Sequence, residues 1–200
     1  MGINLQKGQR ISLDKEAGRG LSRVVMGLGW GMKQVQSKGF LGFGGGSRQE
    51  AVDLDASCLL FDASGNLVDT VWFRQLESRC GSIRHSGDDR SGGGETGADN
   101  ERITIDLSRV PAPVQALIFT VNSFSGESFA GIPNASCRLV DDTSGSEVAR
   151  FDLSLEGGNH TGLIMTKLYR HNNEWKMQAI GEQAEGRTFH DLLPALQPYL

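Results

Sequence analysis

The sequence predicts an all-β protein, a two-sheet antiparallel β-sandwich with a short C-terminal helix. Through much of the chain, apolar and polar residues alternate with a period of two, the pattern of strands with one buried face. The alternating segments recur about every ten to fifteen residues, between turns rich in glycine, asparagine and aspartate. In the clearest case, Ile103, Ile105 and Leu107 share one face of a strand. Such a series of short strands favours two packed sheets over βαβ units.

Nine segments carry the alternation and are predicted strands. They are Leu21 to Trp30, Val52 to Phe61, Leu67 to Phe73, Arg102 to Leu107, Ala116 to Asn122, Ser136 to Val140, Glu147 to Leu155, Leu163 to Arg170 and Trp175 to Ile180. The glycine-rich stretch from Phe40 to Ser47 is expected to be a loop that either tucks onto the core or stays flexible.

The C-terminal segment from Arg187 to Leu200 is predicted to be helical. Thr188 is a residue type that caps helices, and Pro194 limits the helix to a short piece. Apolar residues follow at helical spacing, namely Phe189, Leu192, Leu193 and Leu196. We expect this helix to cover part of the sandwich.

The composition indicates one domain spanning residues 1–200 that works in the cytoplasm. The chain is long enough for a sizeable core, and no apolar stretch resembles a signal peptide or a membrane span. Cys58, Cys80 and Cys137 are odd in number and lack CxxC spacing, which indicates reduced thiols. The net charge is -4, and the basic residues are not interleaved with aromatics, so no nucleic-acid partner is expected.

An acidic, glycine-rich loop from His85 to Glu101 is the strongest functional signal. Its carboxylates are Asp88, Asp89, Glu95, Asp99 and Glu101, and its single arginine is Arg90. Two carboxylates held 4 to 5 Å apart repel by roughly 3 to 4 kcal/mol at an effective dielectric near 20, so a folded loop of this kind favours a bound cation. Calcium suits it best, because calcium takes six to eight oxygen ligands in flexible geometry. The alternative is a solvated acidic turn that binds nothing.

A second pair of acids could complete such a site. Asp53 and Asp55 share one face at the start of a predicted strand, and together with the loop they would supply oxygens for one or two calcium ions. The loop is not an EF-hand, because Arg90 occupies the third position counted from Asp88 and the flanking segments are strands.

Two other kinds of protein fit the sequence less well than a calcium-binding protein without enzymatic activity. A metal-dependent phosphoesterase is suggested by Gly87-Asp88 and Gly158-Asn159-His160, but Ser91 and Thr161 stand where acids are expected. A calcium-dependent lectin-like sandwich would need exposed aromatic residues beside the loop, and the loop itself contains none. No spacing supports a catalytic triad, so we do not expect an enzyme.

Several motifs together resemble the TerD family of tellurium-resistance and stress proteins. They are GLGW at 27–30, DLDAS at 53–57, HSGDDRSGGGE at 85–95 and DNERITIDL at 99–107. Further stretches are most similar to the TerZ branch, namely the FGGGS insertion, Trp72-Phe73, Cys80-Gly81-Ser82, FTVNSF at 119–124 and the HTG at His160.

The resemblance implies a calcium-binding β-sandwich of a bacterial stress system. Such a protein would act in the cytoplasm or at the inner membrane surface, in assemblies with other Ter-family proteins, and without a known enzymatic activity. Carried over by position, the metal ligands are Asp53, Asp55, Asp88, Asp89, Glu95, Asp99 and Glu101. Family members commonly have acids where this chain has Gly31 and Ala98 or Asn100, and fewer acids imply that one of two expected calcium sites is weak or missing.

Overall fold

A computed structural model describes residues 2–36, 46–93, 98–154 and 158–200. Within these ranges the chain forms two six-stranded sheets, a two-stranded hairpin and two α-helices. Glu95 lies outside the described residues. So does the predicted glycine-rich loop, apart from Gly46 and from Ser47, which begins a strand.

The first sheet carries the acidic loop between two of its strands. In spatial order it consists of β1 (Ile3–Leu5), β12 (Glu147–Asp152), β11 (Ser136–Asp141), β3 (Arg23–Gly29), β9 (Glu101–Asp106) and β8 (Ile83–His85). Neighbours are antiparallel except β1 and β12, which run parallel. The acidic loop connects β8 to β9, which are paired, so both of its ends are held at one edge of the sheet.

The second sheet is antiparallel throughout. Its spatial order is β2 (Arg10–Ser12), β14 (Glu174–Ala184), β13 (Gly162–His171), β10 (Val114–Ser123), β6 (Leu54–Asp62) and β7 (Leu67–Val71). A separate hairpin pairs β4 (Lys33–Gln36) with β5 (Ser47–Glu50), and the short helix α1 covers Leu13–Ala17.

The main core fills the space between the two sheets, and the alternation along β6 shows how the chain builds it. Leu54, Ala56 and Cys58 point into this core, whereas Leu59 belongs to a second apolar cluster on the outer face of the second sheet. Fully burying one such aliphatic side chain contributes roughly 1.5–3 kcal/mol. The same alternation places Asp55 on the outer face of β6.

Helix α2 (Phe189–Leu196) covers part of that outer face, as the sequence predicts. Phe189, Leu192 and Leu196 are buried in the second apolar cluster. The helix begins after Thr188, whose backbone N–H donates to the Asp191 carboxylate at 3.1 Å. It contains Pro194 and ends in a 3₁₀ turn, Gln197–Tyr199.

All nine predicted strands are confirmed in type and approximate position. The sequence pattern does not predict α1 or five of the strands, β1, β2, β4, β5 and β8, because segments of three to five residues are too short to show a clear period. Cys58 and Cys137 are buried and Cys80 is partly exposed, all three as free thiols. None of the helices in the described ranges has both the length and the apolar character to cross a bilayer.

Candidate cation site

Three aspartates from two distant parts of the sequence meet at one end of the sandwich. Asp53 directly precedes β6, Asp55 is its second residue, and Asp88 lies in the loop after β8. One carboxylate oxygen of each lies within 4.8 Å of the others. We call Asp53, Asp55 and Asp88 the aspartate cluster. Two oxygens bound to one calcium ion lie at most about 5 Å apart, because each Ca–O distance is about 2.3–2.6 Å, so the spacing fits a single ion.

The acidic loop is held to the segment that precedes β6 near Trp30, the last residue of the GLGW motif. The indole N–H of Trp30 donates to the Val52 carbonyl at 2.9 Å, and the Val52 N–H donates to the Ser91 carbonyl at 3.3 Å. Gly92 passes so close to the indole that an added Cβ would lie 2.2 Å from Nε1, and its φ of +64° also favours glycine. Glycine is therefore required where the loop crosses Trp30.

Glu101 and His85 fix the loop to the edge of β6 beside the aspartate cluster. Pairing between β6 and β7 stops at Cys58, and beyond it Ala56 presents its backbone N–H and carbonyl to these two side chains. Glu101 is fully buried and accepts from the N–H of Ala56 at 2.7 Å and from that of Asp89 at 3.2 Å. These bonds give Glu101 a structural role in the clamp between strand and loop.

The hydrogen bonds of His85 identify its tautomer. Nδ1 accepts from the Gly87 N–H at 3.0 Å, so the proton of the neutral ring lies on Nε2, which is 3.2 Å from the Ala56 carbonyl oxygen and 3.4 Å from a Glu101 oxygen. The side chain is completely buried. His85 is thus a hydrogen-bonded structural residue.

Asp89 and Asp99, two of the predicted ligands, form hydrogen bonds with other residues in the described structure. Burial favours a higher pKa for Asp89, but hydrogen bonds from Ser91, Asn100 and the Gly92 backbone outweigh it and lower that pKa. Asp99 forms two hydrogen bonds, of 2.7 and 3.1 Å, with the guanidinium of Arg138. Neither carboxylate belongs to the aspartate cluster, and Glu95 cannot be placed because it lies outside the described residues.

The surroundings of the aspartate cluster disfavour the charged forms of Asp53 and Asp55. Burial raises the pKa of Asp55 to about 7, with additional contributions from the negative charges of Glu101, Asp53 and Asp88. Burial and the Asp88 charge likewise raise the pKa of Asp53. Asp55 is only 5% exposed, and Asp53 Oδ1 and Asp55 Oδ2 are buried without a hydrogen-bond partner. Unpaired buried carboxylate oxygens are costly, and a hard cation between them would remove that cost.

One positive side chain already approaches the cluster from solvent. The Nε of Arg90 lies 2.8 Å from Asp88 Oδ2, and its side chain is 80% exposed. Arg90 therefore neutralises the outer part of the cluster, whereas the inner oxygens of Asp53 and Asp55 remain unpartnered.

The fold and the site together define a class of protein, a two-sheet β-sandwich with a cluster of three aspartates at one end. A family model described as the TerD domain matches residues 1–194, and the chain belongs to this family. The resemblance inferred from the motifs is thereby confirmed.

Relatives of known name agree with this assignment. The chain is 47% identical over 192 residues to tellurium resistance protein TerZ of Serratia marcescens, covering 95% of this chain and 94% of that protein. It is 37% identical over 193 residues to general stress protein 16U of Bacillus subtilis (strain 168), covering 93% of each. The fold is similar to the crystal structure of a telluride resistance protein (TerD) homologue from Streptomyces coelicolor A3(2). In that comparison the TM-score is 0.64 at 20% identity, over 84% of this chain and 92% of the other.

Proposed function

We propose that this protein is a calcium-binding module of a bacterial tellurite and chemical-stress resistance system. It would act in the cytoplasm, through calcium-dependent assembly with other Ter-family proteins or at the inner membrane surface. The resistance role is supported by relatives named for tellurium resistance and general stress. Two observations on the aspartate cluster carry the calcium proposal: one oxygen of each carboxylate lies within 4.8 Å of the others, and Asp53 Oδ1 and Asp55 Oδ2 are buried without a hydrogen-bond partner.

The donor set favours calcium over other common metal ions. Carboxylate oxygens alone make up the cluster found among the described residues, which suits hard cations, whereas zinc prefers nitrogen and sulfur ligands. Both ring nitrogens of His85 face other partners. Magnesium demands near-ideal octahedral geometry and dehydrates reluctantly, so a cluster on two separate chain segments suits calcium better.

Ion binding would change the loop more than the sandwich. Asp55 is the second residue of a core strand and Asp53 directly precedes that strand, whereas Asp88 lies in the loop and is paired with an exposed arginine. A cation shared by all three would draw Asp88 onto β6 and replace mutual repulsion with attraction. The proposal therefore assigns calcium the task of ordering this surface for a partner, with no catalytic step.

Calorimetric titration of chelator-treated protein tests the proposal directly. We expect calcium to bind with a stoichiometry near one and magnesium to bind far more weakly. At a calcium concentration about 100 times Kd, stabilisation of about 2.7 kcal/mol should raise the melting temperature by roughly 5–10 °C for a domain of this size.

Matched variants separate the site from general charge effects. Asp53→Asn and Asp88→Asn should abolish the calcium-dependent rise in melting temperature, whereas Asp152→Asn, at an exposed position at the end of β12, should retain it. An unchanged melting temperature and no binding heat in the unaltered protein would disprove the proposal. Equal stabilisation by magnesium would reduce it to a counter-ion effect.

A further inference from the structure

An exposed aromatic turn borders the aspartate cluster. After β7 the chain makes a tight turn in which Trp72 and Gln75 exchange backbone hydrogen bonds of 3.0 and 2.9 Å. Phe73 and Arg74 occupy the tip of this turn. The ring centroid of Phe73 lies 5.7 Å from that of Phe124, which follows the last residue of β10. We call Phe73, Arg74 and Phe124 the aromatic patch.

The aromatic patch and the aspartate cluster are joined through backbone contact. The Phe124 N–H donates to the Asp53 carbonyl at 3.1 Å, so the residue that presents this ring is hydrogen-bonded to a member of the cluster. Phe124 is nevertheless 39% exposed, and Phe73 and Arg74 also reach solvent. A phenylalanine with this exposure contributes little to the core and is available for contact with a partner.

We propose that the aromatic patch and a cation held by the aspartate cluster together dock the protein on a bilayer containing anionic phospholipids. This inference rests on the calcium site proposed above. Calcium takes six to eight oxygens, so an ion on three carboxylates has positions left for phosphate oxygens of lipid headgroups. Phe73 and Phe124 would enter the interfacial region, where amphipathic protein surfaces bury aromatic and aliphatic side chains. The Arg74 guanidinium would pair with a neighbouring phosphate.

Calcium would act as the switch for this contact. Without an ion, three carboxylates beside the aromatic patch repel anionic headgroups, and the chain as a whole carries a net charge of -4. With the ion bound, the local charge is neutralised and phosphate becomes a ligand. Membrane association is therefore expected only when both calcium and anionic lipid are present.

Two other partners fit the aromatic patch less well. A sugar ring stacks on an open aromatic face, but the guanidinium of Arg74 lies over the rings of Trp72 and Phe73, at 5.5 and 5.3 Å from their centroids. The Trp72 ring also has Phe189 and His190 against it, with centroids 5.1 and 5.5 Å away. A stable protein interface buries about 800 Å² on each partner, which is large for a patch of three side chains.

Vesicle sedimentation of the full chain tests this inference. We expect the protein to pellet with vesicles of phosphatidylcholine mixed with phosphatidylglycerol in millimolar calcium. It should remain in solution with chelator or with phosphatidylcholine alone. The Phe73→Ala/Phe124→Ala variant should bind these vesicles on the order of tenfold more weakly, because it loses the apolar part of the contact. Its calcium stoichiometry by calorimetry should be unchanged.

The matched control is Leu67→Ala/Val68→Ala, which removes two side chains of similar exposure, 40% and 39%, at the opposite end of β7. This control should pellet as the unaltered protein does. The inference is overturned if calcium-loaded protein stays in solution, if it self-associates or binds glycans instead, or if the phenylalanine variant pellets normally. It is also overturned if pelleting needs no calcium. A lack of calcium binding by calorimetry would refute the proposed function itself, which keeps the two failures distinct.

Discussion

Replacing Asp55 by asparagine should have opposite effects on stability with and without calcium. In the ion-free protein Asp55 is almost fully buried, and its Oδ2 has no hydrogen-bond partner. Burial and the charges of Glu101, Asp53 and Asp88 raise its pKa from an ordinary value of 3.8 to about 7. The ionised side chain therefore destabilises the folded state, and Asp55→Asn removes that charge while keeping the size of the side chain.

The magnitude follows from the pKa. A rise from 3.8 to about 7 corresponds to roughly 4 kcal/mol, because a tenfold change in a protonation constant is about 1.4 kcal/mol. The new amide still needs hydrogen-bond partners, at a cost of about 1–3 kcal/mol, so we expect a net gain of about 2 kcal/mol above pH 7. Between about pH 4 and pH 7 the folded state keeps a proton that the unfolded state has lost. The contribution of Asp55 to stability therefore falls as pH rises through this window.

Thermal unfolding of the two proteins in chelator, followed from acidic to mildly alkaline pH, measures this effect. At about pH 8 the Asp55→Asn variant should melt roughly 4–8 °C higher than the unaltered protein, and the gain should shrink as the pH falls toward about 4. In saturating calcium the order should reverse, because only the unaltered protein has the full set of ligands. A variant that is less stable than the unaltered protein in chelator at about pH 8 would refute the reasoning.

Three further substitutions test the surroundings of the site. Glu101→Ala should lower the free energy of unfolding by about 2–4 kcal/mol in urea, because it unpairs the N–H groups of Ala56 and Asp89. The loss should be similar with calcium and with chelator, whereas a loss confined to calcium would make Glu101 a ligand. Gly27→Ala should cost about 1–3 kcal/mol, since its Cβ would lie 2.3 Å from the Asp99 carboxylate. The Gly27→Ala/Asp99→Ala pair should recover part of this loss in a double-mutant cycle, and full additivity would contradict the clash. Asp99→Asn should cost about 0.5–1 kcal/mol through its pair with Arg138, and the calcium stoichiometry should stay the same. A reduced stoichiometry would show that Asp99 is a ligand, as the sequence predicts.

The strands of the fold could be predicted because one face of each is buried. In β9 the alternation of Ile103 and Ile105 with polar residues matches the burial seen in the structure. The short strands could not be found in this way, although β8 positions the entry to the acidic loop. Its three residues are held by pairing with β9, a contact distant in sequence. No local pattern indicates it.

Alternation and composition predict part of the site, namely the residues whose position follows from the period of a strand or from the acidic loop itself. Asp53 and Asp55 were placed on one face by period two, and the structure brings Asp88 to them. The same period places Glu101 on the core face with Ile103 and Ile105, which is a sequence signal of a buried carboxylate that the ligand prediction did not use. The pair between Asp99 and Arg138 depends on sheet register, which the sequence pattern does not determine.

Several carboxylates of the acidic loop have partners within the chain, and this reduces the need of the loop for a bound cation. Repulsion among its carboxylates predicts that the loop needs an external positive charge, yet the chain itself supplies partners to several of them. Asp99 is held by Arg138, and Glu101 by backbone N–H groups. Asn100 donates its amide to Asp89 at 3.1 Å and accepts from the Trp30 N–H at 2.9 Å.

Asn100 thus supplies Asp89 with a hydrogen-bond partner from within the chain. Among the described carboxylates, the buried oxygens without a hydrogen-bond partner are Asp53 Oδ1 and Asp55 Oδ2. Within the described ranges, the three carboxylates that converge at one position are those of Asp53, Asp55 and Asp88, and Asp88 is the one contributed by the acidic loop. Because a calcium site gains affinity from ligand charge, the calcium affinity that we propose for this position would depend more on Asp53 and Asp55 than on the number of acids in the loop.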